Sequence, residues 1–113
     1  MRTITPTVLI EPKLAEATNT VQYTAEGVNA IVDKFTVTNN GSAVATITIN
    51  VPTNLGTANA SNRIVNARSI DIGETYTCPE LVGQVLLDAD YISTTASVAT
   101  TLTIRASGRE ITL

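Results

Sequence analysis

Segment 43–51 alternates between two kinds of side chain: small or aliphatic residues occupy every second position, and most residues between them are polar. Successive side chains of a β-strand point to opposite faces of a sheet, so a period of about two residues predicts a strand with one buried face. A helix would need a period of about 3.6 residues, which this segment lacks. At least this part of the chain must therefore fold as a sheet.

β-Branched residues extend this prediction to the whole chain, since Thr, Val and Ile account for 42 of its 113 residues. Such side chains lose rotamer freedom in helices and pack well on pleated sheets. Turn-forming residues recur about every ten positions and divide the chain into short strands. A chain of this length forms one domain. The sequence therefore predicts an all-β fold, an antiparallel β-sandwich or jelly-roll.

Segment 31–38 is predicted to be a strand with Ile31 and Phe35 on its apolar side. It is joined to the strand at 43–51 by Asn-Asn-Gly-Ser, and an Asn-Gly pair tolerates the positive φ angles of a hairpin turn. We therefore expect these two strands to pair antiparallel. Asp33 interrupts the apolar side, which indicates an edge position or contact with a partner.

One segment, 79–86, has helical character. Pro79 suits the first position of a helix, and Glu80 suits the positive end of the helix dipole. Leu81 and Val85 are spaced so that they share one face of a helix. The sequence thus predicts one short helix near residues 79–86, covering an open end of the core.

Residues 1–27 differ from the rest of the chain, because Pro6 and Pro12 interrupt strand pairing and residues 18–20 are polar. This part is either an N-terminal arm that reaches a neighbouring molecule or an edge strand, where Pro is tolerated. Residues 28–113 form the β-sandwich domain.

The side-chain inventory argues against most catalytic and nucleic-acid-binding functions. The chain has no His, hence no imidazole base, no His-paired nucleophile and no His-containing zinc site. We therefore expect neither enzyme activity nor a cofactor. Seven dispersed cations and four aromatic residues supply no phosphate-binding patch, so no nucleic-acid partner is expected. No apolar run resembles a signal peptide or membrane span, so we expect synthesis in the cytoplasm and no membrane partner.

The candidate reactive groups of the sequence are four acidic residues and one thiol. Asp88 and Asp90, with Asp71 and Glu74, offer oxygen ligands for calcium but lack calcium-loop spacing. Because Asp favours turns, they are interpreted as turn residues, and no metal site is predicted. Cys78 is interpreted as a small, semi-buried residue rather than a reactive thiol at a helix start.

Binding to a partner is predicted from two irregular parts of the chain, segment 1–23 and the loop at 51–62. The loop is either a contact loop or a solvated connection. Only 15% of residues are charged, which indicates a surface partly covered by further copies or by a partner, the alternative being solubility through Thr hydroxyls. The candidate partner-binding residues are Arg2, Ile4, Val8, Ile10, Tyr23, Asn54, Leu55, Asn59, Asn62 and Arg63.

Four segments carry a resemblance to a known class of protein. They run from Phe35 to Ile49, from Ala60 to Val65, from Asp71 to Gly83 and from Thr103 to Ile111. In overall pattern, rather than in any catalytic signature, residues 30–113 resemble small structural proteins of bacteriophage and prophage virions.

The resemblance implies a tailed-phage particle component with a β-sandwich or jelly-roll fold. In particular, it implies a head decoration (cement) protein that binds the major capsid protein and bridges its subunits, often as a trimer. Its location would be the virion. The alternative is a tail or fibre-associated module for attachment or host-surface recognition. Sugar recognition usually relies on exposed aromatic residues, and the small number of aromatic residues argues against that alternative.

Overall fold

Strands account for most of the computed structural model, which describes residues 2–113. Short irregular segments and one 3-10 turn, Ala60–Asn62, connect them. The predicted all-β, antiparallel fold is confirmed. The strands of the described residues are β1 (Ile4–Leu14), β2 (Thr20–Thr24), β3 (Val28–Asn39), β4 (Ala45–Asn50), β5 (Arg63–Ile70), β6 (Thr75–Tyr76), β7 (Val85–Leu86), β8 (Tyr91–Ala96) and β9 (Leu102–Thr112).

Two antiparallel sheets divide these strands. In the five-stranded sheet, β9 lies between β1 and β3, and the far side of β3 pairs with both β6 and β7. The four-stranded sheet has the order β2-β8-β4-β5. Both sheets contribute to one hydrophobic core, in which Phe35 and Ile104 come from the first sheet and Ile47, Ile49 and Ile92 from the second. The core therefore lies between the sheets.

The first part of the chain forms edge strands rather than an arm that leaves the domain. β1 pairs with β9 from Ile4 opposite Ile111 to Leu14 opposite Thr103, with two bulges on the way. β2 pairs with β8 at one edge of the other sheet. Leu9, which follows the first half of β1, is buried in the core. Strands β1 and β2 are therefore held in the chain's own sheets, and Leu9 and Ile10 anchor β1 in the core, although Ile4 and Val8 remain exposed.

The predicted hairpin between β3 and β4 is wrong, because these strands lie in different sheets. Asn39, at the end of β3, is 1% exposed. Its Nδ2 donates to the carbonyl oxygens of Ala43 and Ile70, each at 2.9 Å, and its Oδ1 accepts from Gly41 N at 2.8 Å. This buried amide fixes a connection that crosses from one sheet to the other.

The predicted short helix at 79–86 is also wrong, since the segment forms tight turns followed by β7. Leu81 N donates to Cys78 O at 2.9 Å, and Gln84 N donates to Leu81 O at 3.1 Å. Gly83, at a φ of 86°, then brings the chain against β3, where its N–H donates to Val32 O at 2.7 Å. Hydrogen bonding to the neighbouring strand thus outweighs a weak local helical preference.

Replacing Asn39 with Ala should lower the free energy of unfolding by about 2 kcal/mol or more, because buried backbone groups lose their hydrogen-bond partner. Asn40→Ala is the matched control, since Asn40 is exposed and its side chain donates only to Thr103 Oγ1 at 2.6 Å. Denaturant titration of both variants measures the difference. Equal losses of stability in the two would contradict this role of Asn39.

Candidate interaction surfaces

The start of β1 places three predicted contact residues on the surface. Arg2 is exposed, Ile4 is 59% exposed and Val8 is 37% exposed. Thr3 N donates to Thr112 Oγ1 at 2.8 Å, and Thr112 N donates to Thr3 O at 3.0 Å. The end of β9 therefore fixes the position of this exposed strand.

Two other predicted contact residues are engaged within the domain. Ile10 is 2% exposed and packs in the core, so a single folded chain does not present it to a partner. The hydroxyl of half-buried Tyr23 donates to Glu110 Oε2 at 2.5 Å. Burial, together with this hydrogen bond to a carboxylate, raises the pKa of Tyr23. Tyr23 thus links β2 of one sheet to β9 of the other.

Strand register brings aliphatic side chains together on the outer face of the five-stranded sheet. Ile4 lies opposite Ile111, and Ile31 lies opposite Val85. Val85 is 54% exposed and Leu87, just after β7, is 57% exposed. The residues before and after Ile31 are buried, so Ile31 itself faces outward. We call this surface the aliphatic patch, formed by Ile4, Ile31, Val85, Leu87 and Ile111.

A bulge in β3 explains why the sequence pattern misplaced part of this patch. The register of β3 against β9 shifts between Val32 and Lys34, which reverses the faces of the residues on either side. Ile31 was predicted on the side of Phe35 but lies on the other. Alternation along β9 places Leu102, Ile104 and Ala106 in the core and Ile111 on the outer face. No signal in the sequence marks the bulge except Asp33.

Asp33 neither lies at an edge nor is free for a partner, because it pairs with Arg109 beside the patch. Arg109 Nη2 donates to Asp33 Oδ1 at 2.9 Å, and Arg109 Nε donates to Asp33 Oδ2 at 3.0 Å. Arg109 lies directly opposite Ile31. These two charges beside the aliphatic patch therefore neutralise each other within the chain.

Asn54 and Leu55 form the tip of a tight turn in the 51–62 loop. Gly56 N donates to Thr53 O at 2.9 Å, and Asn54 and Leu55 have φ angles of 50° and 56°. The left-handed region is unfavourable for Leu, which lacks the freedom of Gly. Leu55 is nevertheless 69% exposed. The loop thus presents a large aliphatic side chain at a strained position.

Buried Asp90 holds this turn in place. Its Oδ1 accepts from Asn54 N at 3.0 Å, and its Oδ2 accepts from Leu87 N at 2.9 Å. Leu55 N donates to Ala89 O at 2.8 Å. Because residue 87 belongs to the aliphatic patch, these contacts place the Leu55 tip and the patch at the same end of the sandwich.

Asn59 and Asn62 stabilise the second half of the loop and are not free side chains. Asn59 Oδ1 accepts from Ser61 N at 2.9 Å, and Asn62 Oδ1 accepts from Asn59 N at 3.0 Å. Buried Asn50, which sequence reasoning did not single out, donates from Nδ2 to both Asn59 O and Asn62 Oδ1. The loop is therefore fastened to the outer face of β4.

Arg63, the last predicted contact residue, lines a pocket on the four-stranded sheet. The pocket has a volume of about 380 Å³. Most of its lining lies on strands of this sheet, namely Thr48, Asn50, Arg63, Asn66 and Thr95, and the connections that contain Asn19 and Ala58 complete it. We call it the polar pocket. No sequence pattern indicates this pocket, because its residues come from five separate segments of the chain.

The acidic residues considered as metal ligands act as turn acceptors. Asp90 bonds the two amides described above, Asp88 Oδ1 accepts from Gly27 N at 2.8 Å, and Glu74 Oε1 accepts from Asp71 N at 2.8 Å. Among residues 2–113, no group of three or more Cys, Asp or Glu residues is placed to hold a metal ion.

Comparison with known proteins gives no relative of this chain. No protein-family model, curated protein or solved structure matches it. Within the described part of the chain, no helix is long and apolar enough to cross a membrane.

Cys78 is fully buried, at a φ of 44°, and does not begin a helix. Burial raises the pKa of its thiol to about 12.

Since the thiolate is the reactive form, the folded protein should not react with an aromatic disulfide reagent at pH 8, and denaturant should release one reactive thiol per chain. Above the pKa of the unfolded thiol, the folded state binds more protons than the unfolded state, so stability should fall as pH rises toward 12. Rapid labelling of the Cys78 thiol in the native protein would show that this thiol is accessible to the reagent and would contradict its burial.

Proposed function

We propose that this chain is a structural component of a tailed-phage particle, a head decoration (cement) protein that binds the major capsid protein. The resemblance of residues 30–113 to virion proteins supports the phage assignment. The observation that carries the binding role is the aliphatic patch, because exposed apolar side chains clustered on one face mark sites of contact with other proteins. Covering such a surface removes apolar area from water and stabilises the contact.

Binding through shape suits the sparse charge of this surface. The chain has seven cations and ten carboxylates, and the Arg109–Asp33 pair leaves no unpaired charge at those two positions beside the patch. Contacts of this kind are individually weak, and on a symmetric shell they repeat at every equivalent position. A trimer, which we propose as the oligomer, would join several such contacts and gain avidity.

Leu55 adds a second apolar contact at the same end of the molecule. Left-handed backbone at a Leu residue costs roughly 1–2 kcal/mol. Residues held in such conformations tend to be found at functional sites. A leucine that is both strained and exposed is explained if its side chain inserts into the partner.

Sedimentation with purified virions of the source phage tests the proposal. The wild-type chain should sediment with particles at a copy number comparable to that of capsid subunits. Val85→Lys should abolish this, because a charge within the patch would be buried without a partner. Val98→Lys is the control, since Val98 is 51% exposed and lies in the turn before β9, far from Ile111.

An equal loss of particle binding in Val85→Lys and Val98→Lys, or no particle binding by the wild-type chain, would overturn the cement assignment. Binding at only a few copies per particle would favour the tail or fibre module instead. Light scattering of the free chain measures whether it is a trimer.

Leu55→Gly should separate stability from binding. Glycine adopts positive φ without strain, so the variant should be more stable by about 1 kcal/mol, as measured by denaturant titration. The same variant should bind particles more weakly, because the exposed aliphatic side chain is gone. Unchanged particle binding would show that Leu55 makes no contact.

A further inference from the structure

The polar pocket on the four-stranded sheet lies on the opposite face of the molecule from the aliphatic patch, and its lining has unused hydrogen-bonding capacity. Within residues 2–113, the side chains of Asn19, Asn66 and Thr95 make no hydrogen bond, and Asn50 uses only its Nδ2. Thr48 Oγ1 accepts from Ala67 N at 3.0 Å. Amides and hydroxyls of this kind can both donate and accept, which suits a ligand with several neighbouring hydroxyl groups.

Arg63 supplies the positive charge of this pocket. It makes no ion pair within the described residues, and none of the other residues that line the pocket is acidic. A guanidinium group presents a planar set of donors that matches a carboxylate. The pocket therefore favours a ligand with one carboxylate.

A fully buried hydroxyl without a hydrogen-bond partner lies next to the pocket, although it does not line it. Ser93 is fully buried, and its Oγ has no hydrogen-bond partner. It lies directly opposite Asn50, two residues before Thr95, and both of those residues line the pocket. Ile92 and Thr94 on either side are buried in the interior, so Ser93 faces the pocket side of the sheet. Buried polar groups without partners are rare and costly.

Size and lining limit the ligand further. A volume of about 380 Å³ lies near the lower end of small-molecule sites, roughly 300–1,000 Å³. Ala58 is the one apolar side chain of the lining and no aromatic ring is present, so the lining binds a ligand through hydrogen bonds and charge rather than through stacking. We propose that the polar pocket binds a small polyhydroxy carboxylate of the uronic acid class. Arg63 binds the carboxylate, and Asn50, Asn66 and Thr95 bind the hydroxyl groups.

Titration of the ¹⁵N-labelled full chain with glucuronate, followed by NMR, tests this proposal. Saturable shifts should appear at Arg63, Asn66 and Thr95. Arg63→Gln should weaken binding by about tenfold or more, as expected for loss of a charge-assisted hydrogen bond. Arg68→Gln is the matched control, because Arg68 lies on the same strand but stacks on Tyr76, 4.4 Å from the ring centre. It should leave the affinity unchanged.

Two related compounds separate the parts of the recognition. Glucose, which lacks the carboxylate, and acetate, which lacks the hydroxyl groups, should each bind at least about tenfold more weakly than glucuronate. Equal binding of either compound, equal effects of the two Arg variants, or no saturable shift with glucuronate would overturn the proposal. The titration is carried out without particles, so its outcome is independent of the proposed cement function.

Discussion

The ladder between β3 and β9 is the constraint on which the rest of the structure depends. It runs from Val28 opposite Thr112 to Asn39 opposite Leu102, with one bulge at Asp33. Beside the bulge the two backbones approach so closely that a Cβ atom at Gly108 would lie 2.0 Å from Ile31 O. A side chain there would force the strands apart, so Gly108 is required for this register. The bulge in turn decides which residues of β3 leave the core.

The two proposed binding surfaces follow from this framework and use different chemistry. On the five-stranded sheet, the bulge exposes Ile31 beside Val85 and pairs Asp33 with Arg109 at the border of the apolar surface. On the four-stranded sheet, the 51–62 loop is fastened across the outer face and leaves a polar pocket at its side. The two proposed contacts, apolar burial at one face and hydrogen bonding at the other, therefore involve different residues and can be tested separately.

Local periodicity was enough to predict the fold class and the strand at 43–51, whose Ile47 and Ile49 are buried as expected. It failed where a tertiary contact decides the outcome. The Asn-Gly pair after β3 indicated a hairpin, whereas the buried side chain of Asn39 bonds the nearby carbonyl group of Ala43 and the distant one of Ile70 and directs the chain to the other sheet. Of the predicted contact residues on β1, Ile4 is exposed and Ile10 is buried, because the bulge between Val8 and Ile10 exchanges the two faces of the strand. Leu55, in the loop, is exposed as well.

A cryo-electron microscopy map of the intact virion tests the central claim most directly, namely that neighbouring proteins bind this chain through one end and one face. The account predicts a small two-sheet domain on the outside of the shell, repeated at symmetry-equivalent positions, with the outer face of β1, β9, β3 and β7 against capsid protein. A map in which that face is open to solvent, or in which the shell carries no such domain, would contradict it.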